Sequence, residues 1–244
     1  MRLTRCHVDL PLRPGSDLVL PERAANHLAR VLRLREGDAC VLFNGDGHDC
    51  DARLLSIGKR EVRAEILSAR AIDNESPLRI ALLQGIARGE KMDLILQKAT
   101  ELGVAAIVPV SGERTEVRLD ADRAEKRLAH WRSVVESACE QSGRARVPSV
   151  AAPAGLEAAS RALAGDGLRL VLDPQGGHRL EDLVAPADGS ACIAIGPEGG
   201  WSPRDRATLQ AAGFTGLRLG PRVLRTETAG LAALAALQAR FGDL

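Results

Sequence analysis

A chain of 244 residues that is 45% hydrophobic and 27% charged is an ordinary globular mixture, which excludes a disordered or fibrous protein and leaves room for one large domain or two smaller ones. The formal net charge of +1 decides nothing about a polyanionic partner, because binding depends on a local basic face rather than on the sum. Aromatic residues make up only 2% with no Tyr, so the core must be aliphatic, and any RNA contact must rely on arginine and shape rather than on stacking platforms.

From the start to about Ala71 the chain reads as short segments of alternating polarity, such as 40–43 and 53–57, separated by turn signals. Asn44-Gly45-Asp46-Gly47 is a hairpin turn, since glycine beside Asn or Asp accepts the positive φ that tight hairpins need. This part is expected to be a small β-barrel interrupted by one helix, Pro21 to Leu34, with Ala25, Leu28, Ala29 and Leu32 on one face. Arg30, Arg33 and Arg35 near its end read either as a solvated face that suits a helix C-terminus or as phosphate contacts, and His27 as a packed or capping histidine.

Asp73-Asn74-Glu75-Ser76-Pro77 marks the expected domain boundary, giving domains 1–72 and 73–244. Beyond it apolar runs alternate with helical patterns. Residues 78–83 read as a strand, Glu90 to Leu102 as a helix closed by Gly103, 105–110 as a buried strand, and Ala121 to Ser142 as a long helix. Three further apolar runs, 168–172, 191–195 and 216–219, complete an α/β pattern whose sheet should be mainly parallel and covered on both faces. The five cysteines have neither C-x-x-C nor Cys/His ligand spacing, which argues against a metal site and for reduced thiols in a cytoplasm. No signal-peptide pattern and no apolar run of membrane-span length is present, so a cytoplasmic protein is expected.

Two glycine-bearing loops stand out. Gly196-Pro197-Glu198-Gly199-Gly200-Trp201 follows a strand and precedes Ser202-Pro203-Arg204-Asp205, a helix start with a capping residue, a first-turn proline and an acid. Loops of this kind are where ligands bind in α/β sheets, although a turn chosen only for its backbone angles is an equal reading. The second, Leu219-Gly220-Pro221-Arg222-Val223-Leu224-Arg225, runs into Thr226-Glu227-Thr228, where a threonine can cap a helix from Ala229 to Arg240 and Glu227 complements its positive end. Capping leaves Arg225 unexplained, unless it neutralises Glu227. Neither loop has the spacing of a Walker or dinucleotide motif.

Taken together, Gly196 to Ser202, Leu219-Gly220 and Leu224 to Ala229 resemble the signature of the RsmE family of ribosomal RNA methyltransferases. Lys91-Met92-Asp93, Gln97 to Gly103, Glu113-Arg114 and Glu140 to Arg144 extend the resemblance over most of the chain. At the N-terminus Cys6-His7 and Cys50 stand where aromatic residues are expected in relatives.

The resemblance implies a PUA-like β-barrel that binds RNA, followed by a SPOUT-class α/β domain tied in a deep trefoil knot. It implies methylation of N3 of a uridine in 16S ribosomal RNA with S-adenosylmethionine, by a homodimer joined through the knotted domain. On that reading the cofactor pocket draws on Leu172, Gly196, Pro197, Glu198, Gly199, Gly200, Leu219, Gly220, Val223, Leu224 and Thr226, with Leu172, Leu219 and Leu224 against the purine. Arg225 is the first candidate to stabilise the uracil anion and Arg144 the second, while Glu198 would orient a proton acceptor or the ribose. Arg30, Arg33, Arg35 and Arg114 are candidate RNA contacts. A ribose 2′-O-methyltransferase on the same fold and a non-catalytic RNA-binding protein remain as alternatives.

Overall fold

The computed structural model describes residues 3–117, 119–163 and 167–244. The chain forms two compact units, one of Met1–Glu75 with Glu136–Val147 and the other of Ser76–Val135 with Pro148–Leu244. The sequence reading placed the first domain in residues 1–72 and gave no sign that a later segment joins it.

The first unit contains β1 (Arg5–His7), β2 (Asp17–Val19), α1 (Glu22–Ala25), β3 (Ala39–Phe43), β4 (His48–Ile57) and β5 (Val62–Ala71). They make a five-stranded sheet in the order β1-β3-β4-β5-β2, with β1 parallel to β3 and the other pairs antiparallel. The hairpin turn lies where the sequence puts it, between β3 and β4, with Gly45 and Gly47 at φ of 89° and 99°. Register shifts at Asp51/Ala52 and Leu54/Ser56 bend the long β4–β5 ribbon, as bulges do, and let alternate side chains close on one core. That core joins Cys6, Leu42, Leu54 and Ile66 from the strands to Leu28.

The helix is shorter than the sequence suggests and differently wound. After α1 it continues as a π-helix over Asn26–Val31 and stops before Arg33, whose φ of 57° lies in the left-handed region. A buried ion pair ties the late segment to the strands: the Arg5 guanidinium contacts Asp49 through Nη2–Oδ1 at 2.6 Å and Nε–Oδ2 at 3.2 Å. It also donates to the carbonyls of Cys139 and Arg144 at 2.6 and 3.1 Å, and lies 4.4 Å from the Phe43 ring centre.

The second unit runs β6 (Arg79–Gly85), α2 (Glu90–Glu101), β7 (Val104–Ser111), α3 (Ala121–Ser142, whose last turns belong to the first unit), β8 (Ser149–Val150), β9 (Ala154–Gly155) and α4 (Leu156–Ala162). It continues with β10 (Leu168–Leu172), β11 (His178–Arg179), β12 (Ser190–Ile195), α5 (Pro203–Ala211), β13 (Thr215–Arg218) and α6 (Thr226–Phe241). The strands form one sheet in the order β11-β13-β10-β12-β6-β7-β8, with β9 beside β7 and every pairing parallel. Parallel strands need buried faces, which explains the continuous apolar runs. Because β12 lies between β6 and β10 while β13 returns to the far side of β10, the strand order reverses there although all strands run the same way. The loops after β6, β10, β12 and β13 therefore meet at one edge, where parallel sheets bind ligands.

Candidate functional site

The loop after β12 is held open by its glycines. Gly200, at φ 65°, donates its N–H to the Pro197 carbonyl at 2.8 Å and closes a tight turn. At Gly199 an added Cβ would lie 3.1 Å from both the Cβ and the carbonyl oxygen of Arg114, so the residue is small because another chain segment passes close by. The predicted helix start is realised: Ser202 accepts from the Asp205 N–H at 3.0 Å, and Asp205 accepts from the Ser202 N–H at 3.0 Å. The same carboxylate accepts from the Glu113 N–H at 3.2 Å, which fixes the Glu113-Arg114 loop against α5.

A relay of hydrogen bonds joins the two glycine-bearing loops. The buried Gln84 at the end of β6 donates its side-chain amide to Thr226 Oγ1 at 3.1 Å and to the Gly85 carbonyl at 2.9 Å. Thr226 in turn donates its hydroxyl to the Gly196 carbonyl at 2.6 Å. This corrects two expectations. Helix α6 begins at Thr226 rather than Ala229, and its N-cap residue Arg225 makes no side-chain cap; the threonine hydroxyl is spent on a loop thirty residues earlier in the chain. Sequence reasoning missed Gln84 and Gly85, although a lone glutamine before glycine at the end of an apolar strand was the available signal.

Between the loops lies a cavity of about 550 Å³. Its walls are Ile195 and Gly196 through Trp201 on one side, Val223 through Glu227 with Ala229 on the other, and Leu172 and Pro174 from the turn after β10. Lys91, Arg114 and Arg206 reach it from α2, the loop after β7 and α5. An adjoining recess of about 80 Å³ is more apolar, lined by Leu172, Leu217, Leu219, Gly220, Val223 and Leu224 among others. The two share Leu172, Pro174, Val223, Leu224 and Ala229, so one ligand can extend from the apolar recess into the polar chamber. Every residue expected in the cofactor pocket lines one or both.

The chamber's charges are arranged around Lys91. Its ammonium lies 3.5 Å from Glu198 Oε1 and 3.9 Å from Glu227 Oε2. Glu198 also accepts from the Arg88 N–H at 3.1 Å. Burial acts to raise the Glu198 carboxyl, but the Arg88 and Glu198 backbone N–H groups and Lys91 outweigh it and hold the group below the ordinary carboxylate range. Glu227 takes Lys91 as its ion partner, whereas the exposed Arg225 forms no ion pair among the described residues. Arg225 therefore does not neutralise Glu227, and its charge is left at the chamber wall. Arg206 is engaged by Asp173.

The other expected residues are placed differently. Arg114 is exposed and donates to the Gly199 carbonyl at 3.2 Å. Arg30, Arg33 and Arg35 are exposed on the first unit, at and just beyond the π-helix. Arg144 is buried in the first unit, clamped by Glu75 with Nε–Oε1 at 3.0 Å, and is not among the residues lining the chamber.

An RNA methyltransferase domain model matches residues 74–238 and an RNA methyltransferase PUA domain model matches residues 20–67. The chain is similar to the ribosomal RNA small subunit methyltransferase E of Mycobacterium bovis, at 33% identity over 95% of this chain and 89% of that protein. Among solved structures it is similar to the same enzyme from Neisseria gonorrhoeae bound to S-adenosyl methionine, with 42% identity, TM-score 0.92 and full coverage, 100%, of both chains. A Legionella pneumophila protein solved in complex with the cofactor SAM superposes with TM-score 0.95 at 38% identity, again over 100% of both chains.

Proposed function

We propose a function that starts from one fact: the chain belongs to the ribosomal RNA small subunit methyltransferase E family. It is an S-adenosylmethionine-dependent rRNA methyltransferase, and on our reading its target is N3 of a uridine in 16S rRNA. The observation that carries the reading is the pairing of an apolar recess with a polar chamber between the two glycine-bearing loops, in a sheet that superposes on a relative solved with this cofactor.

The residues present fit the cofactor. Leu172, Leu219 and Leu224 offer an apolar slot of the kind a purine fills, while the backbone of the loops holding Gly196, Pro197, Gly199, Gly200, Gly220 and Val223 lines the site where its edge and the ribose would be recognised. Thr226 shapes this wall through the Gly196 carbonyl. When bound, the cofactor supplies an electrophilic methyl group. The chain's part is to hold the uracil edge in line with it, because an in-line displacement gains most from positioning. Arg225, unpaired with any carboxylate among the described residues, is suited to stabilise negative charge on the uracil oxygens. Glu198, held ionised by three donors, fixes the loop and Lys91. We assign Arg144 a structural part, since a guanidinium already clamped by a carboxylate has little left to offer RNA.

The first unit, with Arg30, Arg33 and Arg35 exposed, would hold the RNA by its phosphates, together with Arg114 of the second. The strand order, with β12 inserted between β6 and β10 and α6 hydrogen-bonded back to Gly196, supports a trefoil knot in the second unit. A homodimer joined through the second unit belongs to the same reading. No helix among the described residues is long and apolar enough to cross a membrane, and the reaction would take place in the cytoplasm, with the small ribosomal subunit as partner.

Calorimetry with S-adenosylmethionine, followed by mass spectrometry of digested rRNA, tests the whole reading. Saturable binding and a methyl group on uracil N3 are expected. A methyl on a ribose 2′-oxygen would favour the alternative methyltransferase, and RNA binding without cofactor binding would favour a non-catalytic role.

A further inference from the structure

We propose, building on the uracil-N3 reading above, that Glu227 is the catalytic residue that accepts the imide proton of the target base. Two carboxylates line the chamber. Glu198 accepts through Oε1 from both the Arg88 N–H and Lys91. Glu227 has no such donors: its Oε2 atom is withdrawn from water and finds no hydrogen-bond donor among the described residues. Lys91, its ion partner at 3.9 Å, stands outside hydrogen-bond reach.

A carboxylate with one oxygen shielded and without a donor is costly in a folded protein, and this one lines a chamber where a ligand can supply the donor. The donor that a uracil brings is its N3–H. The Glu227 side chain is only 16% exposed and belongs to the first turn of α6, whose origin is pinned by the Thr226 hydroxyl, so the carboxylate is held in place at the chamber wall. Its terminal torsion is soft and two-fold, so either oxygen can be turned to the base. The charged groups around it are Lys91 from α2, Glu198 from the loop after β12, and Arg225 two residues before it in the chain.

The step balances as follows. The N3–H bond breaks and its proton passes to a Glu227 oxygen. The nitrogen electron pair forms the new N–CH₃ bond. The pair of the broken S–CH₃ bond remains on sulfur, which becomes a neutral thioether. A carboxylate is a weaker base than an imide anion, so the proton leaves as the N–C bond forms rather than beforehand, with Arg225 offsetting charge on the uracil oxygens.

The test is Glu227→Gln, which keeps the shape and a carbonyl acceptor but cannot take the proton. With unmethylated small ribosomal subunits as substrate, turnover near neutral pH is expected to fall roughly 100-fold or more. Calorimetric affinity for S-adenosylmethionine and binding of the subunits should both stay within about threefold. The residual rate of the variant should rise about tenfold per pH unit as ionisation of the base replaces the missing acceptor, a dependence the unmodified enzyme should lack. Turnover within about threefold of the unmodified enzyme, loss of cofactor affinity, or an unchanged pH profile each overturns the assignment. Glu227→Asp keeps the charge and withdraws the oxygen by about one methylene; undiminished turnover in it overturns the assignment even if the glutamine variant does not fold. If the unmodified enzyme puts no methyl on uracil N3, it is the underlying reading that fails.

Discussion

Replacing Gly85 by alanine should damage the pocket from behind. An added Cβ would sit 2.7 Å from Pro197 Cδ and 2.8 Å from the carbonyl carbon of Gly196, and closer still to Pro197 N. Carbon atoms in good contact lie about 3.5–4.0 Å apart, so the β12 loop would have to retreat by roughly 1 Å. It cannot do so freely, because the atoms met are backbone and proline ring, and the Gly196 carbonyl is pinned by Thr226 at 2.6 Å. Overpacking of this kind costs about 1–3 kcal/mol. For a unit of this size each kcal/mol lowers the melting midpoint by about 2–4 °C, so a fall of roughly 2–12 °C is expected in a thermal scan. A displacement of about 1 Å at a positioning loop also costs up to about 100-fold in turnover, and calorimetry should show a weaker Kd for S-adenosylmethionine. A variant with an unshifted midpoint and unchanged cofactor affinity would refute the claim that this contact sets the loop.

Thr226→Val keeps the side-chain volume but removes the hydroxyl that bridges Gln84 and Gly196. Stranding those two groups should lower stability by about 1–3 kcal/mol in denaturant unfolding, with weaker cofactor binding; a loss below about 0.5 kcal/mol would show the relay to be incidental. The thiols give a simpler expectation. Burial pushes Cys6, Cys139 and Cys192 up to about 12 and Cys40 to about 11, and raises Cys50 as well. A disulfide reagent near pH 8 should therefore label none of the five in the native protein and all five in denaturant, and fast native labelling would contradict the burial.

The sequence was most legible where structure is local. The Asn44 to Gly47 turn, the Ser202/Asp205 capping box and the bounds of α3 depend on residues within one turn of each other, and all three stand as read. The pocket lining was legible through its glycines and the family resemblance. What escaped depends on partners far away in the chain. Thr226 looks like a cap until Gly196 is placed beside it, and Gln84 looks like a stray polar residue until Thr226 meets it. The π-helix over Asn26–Val31 has the same apolar spacing as an α-helix over so short a stretch, so periodicity could not separate them. Nor does the sequence show that Arg144 meets Glu75, a carboxylate 69 residues away in the chain.

The Arg5 cluster bears on the order in which the protein can be made. Its guanidinium is neutralised by Asp49, but two of its donors are satisfied only by the carbonyls of Cys139 and Arg144. A ribosome that has emitted the first unit's strands has not yet emitted the segment that completes it, and chains grow at only about 5–20 residues per second. The nascent unit must therefore wait several seconds with an unfinished polar cluster, held open until the intervening part of the second unit has been synthesised. An N-terminal fragment cut at the apparent domain boundary would be caught permanently in that waiting state.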